Sequence, residues 1–150
     1  LTDILTIEPS GRLYKSLVKE KQLFSEISAY DLGDFDKGLF VVSGKISDKV
    51  KMEDAENGIL EELNKIKNDF VDDNELQKCK NKIESTVIFG ETDVLTKATN
   101  LAISELLGDA SLINQEIEHY ARVTKEQVKT QANLILNESN CSTLYYLAKK

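Results

Sequence analysis

The apolar positions of this chain change period three times. Between residues 10 and 22 they recur at three and four, with Leu13, Tyr14 and Leu17 on one side, which predicts a helix opened by Ser10 as its N-cap. From Leu23 the period falls to two: Leu23, Ser25, Ile27 and Ala29 alternate with Phe24, Glu26, Ser28 and Tyr30, and a strand over 23–30 follows. The turn-rich "DLGDFDKG" then leads to "LFVVSGKI", so 23–30 and 39–46 read as an antiparallel pair. A short helical tail over residues 1–6 precedes them, closed by Pro9, the only proline.

From residue 52 the helical period returns and lasts to residue 136. Met52, Ala55, Ile59, Leu63 and Ile66 mark one helix, whose acidic first turn, Glu53 and Asp54, suits the helix dipole. Gly58 within it costs about 1 kcal/mol against alanine. "DDNE" at 72–75 opens the next helix, with Asp72 as cap, Glu75 at the reciprocal capping-box position, and Leu76, Cys79, Ile83 and Val87 as the apolar stripe. Gly90 interrupts or bends it. Val94, Leu95, Ala98, Leu101, Ala102 and Leu106 carry the stripe on to Gly108, a C-terminal stop. "SLINQEIEHYARV" predicts a short helix, and "TKEQ" at 124–127 is a capping box for a last one. "CSTLYYLA" at 141–148 predicts a strand that returns to the first two, with Tyr145 packed in the core and Tyr146 facing solvent or a neighbour.

The order α-β-β-α-α-α-α-β segregates strands from helices. It favours an α+β fold, a two-layer sandwich in which helices pack on one face of an antiparallel or mixed sheet. Residues 1–150 read as a single domain or part-domain, without internal repeat or linker.

Composition narrows the function classes. A content of 41% hydrophobic and 30% charged residues is the balance of a folded, soluble chain. The net charge of −7 argues against nucleic acid as a partner, because phosphate binding needs a basic surface. No apolar run approaches the roughly 20 residues that cross a bilayer, so membrane insertion is not expected. The chain begins at Leu1 without methionine or a charged-then-apolar leader, which reads as an internal or processed piece. Its compartment stays open, with a bacterial-type cytoplasm and periplasm both compatible. Cys79 and Cys141 are too few for a disulfide framework and read as buried thiols.

Candidate chemistry is sparse. His119 is the single histidine, flanked by Glu116, Glu118 and Tyr120, and reads as a surface residue. HExxH, HxxEH, P-loop, GxGxxG and GxSxG patterns are absent. Lys78, Lys80 and Lys82, spaced by two, point around the helix as a solvated face. Carboxylates are abundant, but no spacing sets a specific pair in one cleft for acid-base work. No residue is therefore assigned as catalytic, cofactor-binding or metal-binding. Arg12, in "SGRL", is given a scaffold role through an ion pair or the packing of its stem.

Several stretches taken in order carry a family resemblance: "SGRLYKSLVKEKQLFSEISAY", "GLFVVSGKI", "VDDNELQKCKNKIES", "LTKATNLAISELLGD", "VTKEQV" and "STLYYLAK". Together they resemble the second half of a repeat domain of the pitrilysin/insulinase-type zinc peptidases, the processing-peptidase-like group. The resemblance implies a clam-like pairing of domains, in which the amino-terminal one holds zinc through HxxEH and a downstream glutamate. The "ETDVLTKATNLAISELLGD" stretch is more similar to the metal-free carboxy-terminal partner. On that reading the segment needs no cofactor of its own, and zinc is expected in the catalytic domain of a parent chain or partner subunit. The parent would then be a zinc metalloendopeptidase, while the fragment alone would not be an enzyme.

Its expected partners are a peptide substrate and the catalytic domain that encloses it, with a dimer also compatible. Many members carry an arginine followed seven positions later by a tyrosine, both in contact with peptide. Aligned on "LVKEKQLFSEI", those positions fall on Val18 and Ser25, so the contact role is not carried over. The resemblance leaves two functions open: a non-catalytic, substrate-enclosing portion of a peptidase, or a structural or assembly subunit that kept the fold and lost proteolysis.

Overall fold

The computed structural model describes residues 1–6, 10–33 and 37–147. The break expected at Pro9 lies outside them. Helix α1 (Thr2–Thr6) leads to a π-helix (Tyr14–Glu20), strands β1 (Phe24–Leu32) and β2 (Leu39–Ile46), and helices α2 (Met52–Asn68) and α3 (Asp73–Gly90). Then follow α4 (Val94–Leu106), a 3-10 turn (Ala110–Asn114), α5 (Glu116–Ala121), α6 (Lys125–Ile135) and a second 3-10 turn (Glu138–Asn140). The fold is α+β, with β1 and β2 antiparallel and the helices on one face of the sheet. No helix among the described residues is long and apolar enough to cross a membrane.

One apolar cluster joins these elements. Leu5, Leu13, Leu17 and Ile66 are fully buried, with Phe24, Ile27, Ala29, Ala55, Val71, Cys79, Val128 and Ala132 around them. The helix after residue 10 is wider than its sequence period predicts: Lys21 donates its N–H to the Ser16 carbonyl five residues back (2.8 Å), and Leu23 to that of Leu17 six back (2.8 Å). The helix opens at Arg12, two residues after Ser10, its π-helical part follows Leu13, and no side-chain cap bond is made there. Burying Leu13 and Leu17 outweighs a cap worth about 1 kcal/mol.

The chain leaves this helix through Gln22 in a left-handed conformation (φ 52°) and enters β1 through a bulge between Phe24 and Glu26. The bulge breaks the strict alternation, so Phe24 turns inward with Ile27 and Ala29. Gly44 of β2 lies beneath Phe24: a Cβ there would come within 2.7 Å of the ring. Ser25 Oγ donates to the Lys45 carbonyl at 3.1 Å and closes the bulge.

The capping box predicted at 124–127 is present in full, with Gln127 N–H donating to Thr124 Oγ1 and the Thr124 N–H donating to Gln127 Oε1. At α3 Asp72 caps the Asn74 N–H (2.9 Å), whereas Glu75 turns away from the cap to Arg12. An ion pair to a guanidinium is stronger than the reciprocal bond it displaces. The stripe from Leu76 to Leu106 is divided between two helices, because α3 ends at Gly90 and α4 restarts on Asp93, which caps Thr96. Gly108, at φ 115°, follows the end of α4 as predicted.

The expected third strand is corrected. Residues 141–147 form no strand and pair with neither β1 nor β2. Tyr145 is not in the core but 47% exposed, Tyr146 is 95% exposed, and Cys141 is an exposed thiol, not a buried one. The segment is held instead on α2, where Thr143 and Tyr145 both donate to Glu56. Two side-chain bonds to a carboxylate hold it there.

Candidate functional site

The two faces of the hairpin differ. Ile27 and Ala29, paired in register with Gly44 and Val42, face the core. The alternate pairs face out: Glu26 with Lys45, Ser28 with Ser43, Tyr30 with Val41 and Leu32 with Leu39. This outward face runs from charged at one end to apolar at the hairpin end, where Leu32 is 53% and Leu39 68% exposed. It is a flat surface of mixed character, backed by a packed core.

Behind it, a polar network fastens the π-helix to α2. Glu62 is 4% exposed and lies on the buried stripe of α2 between Ala55 and Ile66. Its carboxylate accepts from Ser16 Oγ (2.7 Å) and Lys65 Nζ (2.7 Å), with Lys21 Nζ at 3.8 Å. Neighbouring Glu61 accepts from Lys21 (2.6 Å), and these lysines hold its carboxyl down to about 2. The Lys65 ammonium is raised in turn, chiefly by Glu62. Burial of this carboxylate is tolerated because its Oε1 accepts from both a hydroxyl and an ammonium. Sequence reading missed this network, although a glutamate on an apolar helix stripe was the signal for it.

Arg12 forms a two-bond fork with Glu75, Nε to Oε1 at 2.8 Å and a terminal nitrogen to Oε2 at 2.7 Å. Hydrogen bonding to Glu75 raises the guanidinium above its ordinary value. The pair ties the start of the π-helix segment to α3, and this is the ion pair expected for Arg12. A cleft of about 350 Å³ lies beside it, lined by Asp3, Arg12, Lys15, Glu75, Lys78 and Cys79. Its charges are mixed and partly paired, since Asp3 also meets Lys82 at 3.7 Å. Burial, then the negative charges of Asp3 and Glu75, push the Cys79 thiol up to about 11, which keeps it an unreactive thiol at neutral pH.

The remaining residues singled out by sequence stay apart. His119 is exposed on α5. Lys80 donates to the Ala121 carbonyl at 2.7 Å, tying α3 to α5, while Lys78 and Lys82 are exposed. Val18 packs against the apolar cluster, and Ser25 is engaged with Lys45, so neither presents a group to a ligand. Among the described residues no group of three or more His, Cys, Asp or Glu side chains converges as a metal site requires.

Residues 1–83 match the family model described as the peptidase M16 inactive domain. No curated protein matches the sequence. Among solved structures, a protease from Helicobacter pylori superposes with a TM-score of 0.84 at 19% identity, over 93% of this chain and 34% of that one. A provisionally named zinc protease of Bordetella pertussis Tohama I gives 0.80 at 21%, over 93% and 77%. The inactive peptidase domain of another, from Bordetella parapertussis, gives 0.81 at 22%, over 93% and 74%. At these identities the likeness establishes the fold. The chain spans about a third of the length of the Helicobacter protein.

Proposed function

The chain belongs to the peptidase M16 inactive-domain family, and from that premise we propose that it encloses substrate as a non-catalytic portion of a larger zinc-dependent peptidase. The outward face of the β1–β2 hairpin carries this reading. It is exposed along most of its length, backed by a packed core, and apolar at one end where Tyr30, Leu32, the half-buried Val41 and Leu39 stand together. An extended peptide laid on such a face exchanges apolar side-chain area with it, at about 25 cal/mol per Å² buried. The reaction itself belongs to a catalytic domain paired with this one, in the same chain or another, and zinc is expected there. Among the described residues no group of side chains fits a zinc site, and no step of the reaction is assigned to them.

The test is a photoreactive residue placed at position 39 in the intact parent, with position 134 as control, because Leu39 and Leu134 are equally exposed (68% and 69%) on different faces. Bound peptide is expected to crosslink to position 39 and not to 134. Equal labelling at both, or none at 39 while peptide is being cleaved, would falsify substrate enclosure.

A second reading has one observation in its favour. Val18 points into the apolar cluster and Ser25 is tied to Lys45, so the two positions where similar peptidases often hold peptide are turned to packing. A structural or assembly subunit needs nothing more of them. That reading requires a parent that cleaves no peptide yet is needed for its partner's assembly; cleavage by the intact parent excludes it.

A further inference from the structure

The π-helix carries two spacings at once. Leu13 and Leu17, four residues apart, are both fully buried, as they would be on one face of an α-helix. Its polar contacts are spaced by five. Ser16 Oγ donates to Glu62 at 2.7 Å, while Lys21 Nζ meets Glu61 at 2.6 Å and Glu62 at 3.8 Å. Tyr14 and Lys19, also five apart, stack with Nζ 5.4 Å from the ring centroid. On an α-helix, five residues turn a side chain by about 140°, and both pairs would part. Hydrogen bonding across five residues returns them to one face, so only the wider register lets α2 hold Ser16 and Lys21 together.

That register is locally unfavourable. The π turn is a rare conformation, and the chain leaves it through Gln22, a residue with a Cβ, at φ 52°. Compensation comes from α2. Gly58 lets Leu17 and Leu23 close in, since a Cβ there would meet Leu23 Cδ1 at 2.7 Å and Leu17 Cδ2 at 3.1 Å. One turn further along α2, the buried Glu62 and its neighbour Glu61 take the hydroxyl and the ammonium that the π form presents.

We infer that residues 14–20 are a two-register element and that Glu61 and Glu62 are the latch selecting its π form. Released, the segment closes to an α-helix: the Lys21 N–H leaves the Ser16 carbonyl, five residues back, for that of Leu17, four back. Leu13 and Leu17 share a face in both forms, so the core does not oppose the change. The narrower turn takes up one residue fewer, and that residue passes into the connection between Glu20 and Phe24. Strand β1 is therefore tethered tautly in the π form and slackly in the α form. The device acts on the hairpin whose outward face is assigned to peptide, but it stands without that assignment.

The experiment compares crystal structures and amide hydrogen exchange of the intact parent and three of its variants. Lys21→Met and Glu62→Leu each remove one side of the latch. Lys65→Met removes the other lysine from the same two carboxylates and leaves the Ser16 and Lys21 contacts in place. In the first two variants the N–H of position 21 is expected on the Leu17 carbonyl, and the amides of 22–27 are expected to exchange at least about fivefold faster than in the parent. Lys65→Met should leave both unchanged. Should Glu62→Leu fail to fold, Lys21→Met decides alone, since the Lys21 side chain is 32% exposed. Retention of the Ser16 bond in Lys21→Met overturns the inference. A move to the Leu17 carbonyl without faster exchange also overturns it, because no slack has then reached β1. Exchange that rises equally in Lys65→Met does the same, because the network is then general support for α2 and not a latch on the register.

Discussion

Leu17 and Leu95 are both leucines on the apolar stripe of a helix, yet Leu17 is fully buried while Leu95 is 75% exposed. The difference recurs across the chain. Leu5, Leu13, Phe24 and Ile66 are buried, whereas Ile88, Phe89, Val94, Leu106 and Leu107, around the α3–α4 turn and the end of α4, are at least half exposed. The first group lies within the stretch that matches the family model, residues 1–83, and the second lies beyond it. An apolar stripe therefore states what a helix can bury. Whether it does depends on which neighbours the rest of the polypeptide supplies.

Truncation of a core side chain should break this contrast most visibly. Leu17→Ala is expected to cost about 2–5 kcal/mol, because lost transfer energy adds to a cavity that close packing cannot refill. Leu95→Ala should stay within about 0.5 kcal/mol, as for other surface positions. Urea denaturation of the two variants, side by side, checks the pair. Gly44→Ala should come next, at about 1–3 kcal/mol, because the added methyl meets the buried Phe24 ring; the equally small Ala98→Gly on exposed α4 serves as its counterpart, with a propensity loss of about 1 kcal/mol.

Arg12→Ala removes a half-buried fork to Glu75 and is expected to cost about 1 kcal/mol. A Glu75→Gln background should shrink that cost in a double-mutant cycle. Acid should probe the same region through Glu61. Its folded value, about 2, lies below the ordinary 4.5, so its contribution is present at neutral pH and lost as the pH falls through the window from about 4.5 to about 2. Chemical denaturation at pH 7 and pH 3 should show this loss, and Glu61→Gln should flatten that part of the profile. The smallest effect should be a gain: Gln22→Gly relieves a left-handed backbone at the cost of a freer unfolded chain, for a net increase of about 0.5 kcal/mol in thermal or urea unfolding.

Local signals were readable from sequence where the determining contacts are local. The box at Thr124 and Gln127, the stop at Gly108 and the span of β2 are each set within a few residues. The π-helix, the left-handed Gln22 and the bulge before Glu26 are compensations for fitting Leu13, Leu17 and Phe24 into one core, and no short window encodes that. Glu75 shows the same limit: its position spells a capping box, but Arg12, 63 residues away, wins it. At the candidate site, the alternation of β1 and β2 announced two unlike faces. Which pairs share the outward face follows from the register, and the register shifts at the bulge.

The central claim, that this chain is the non-catalytic portion of a peptidase, is met most directly by one measurement: cleavage of a fluorogenic peptide mixture by residues 1–150 and by the intact parent, with zinc determined on the same samples. The account predicts no cleavage and no stoichiometric zinc for residues 1–150, and chelator-sensitive cleavage for the parent. Cleavage by residues 1–150 alone, or one tightly held zinc per chain in them, would contradict it.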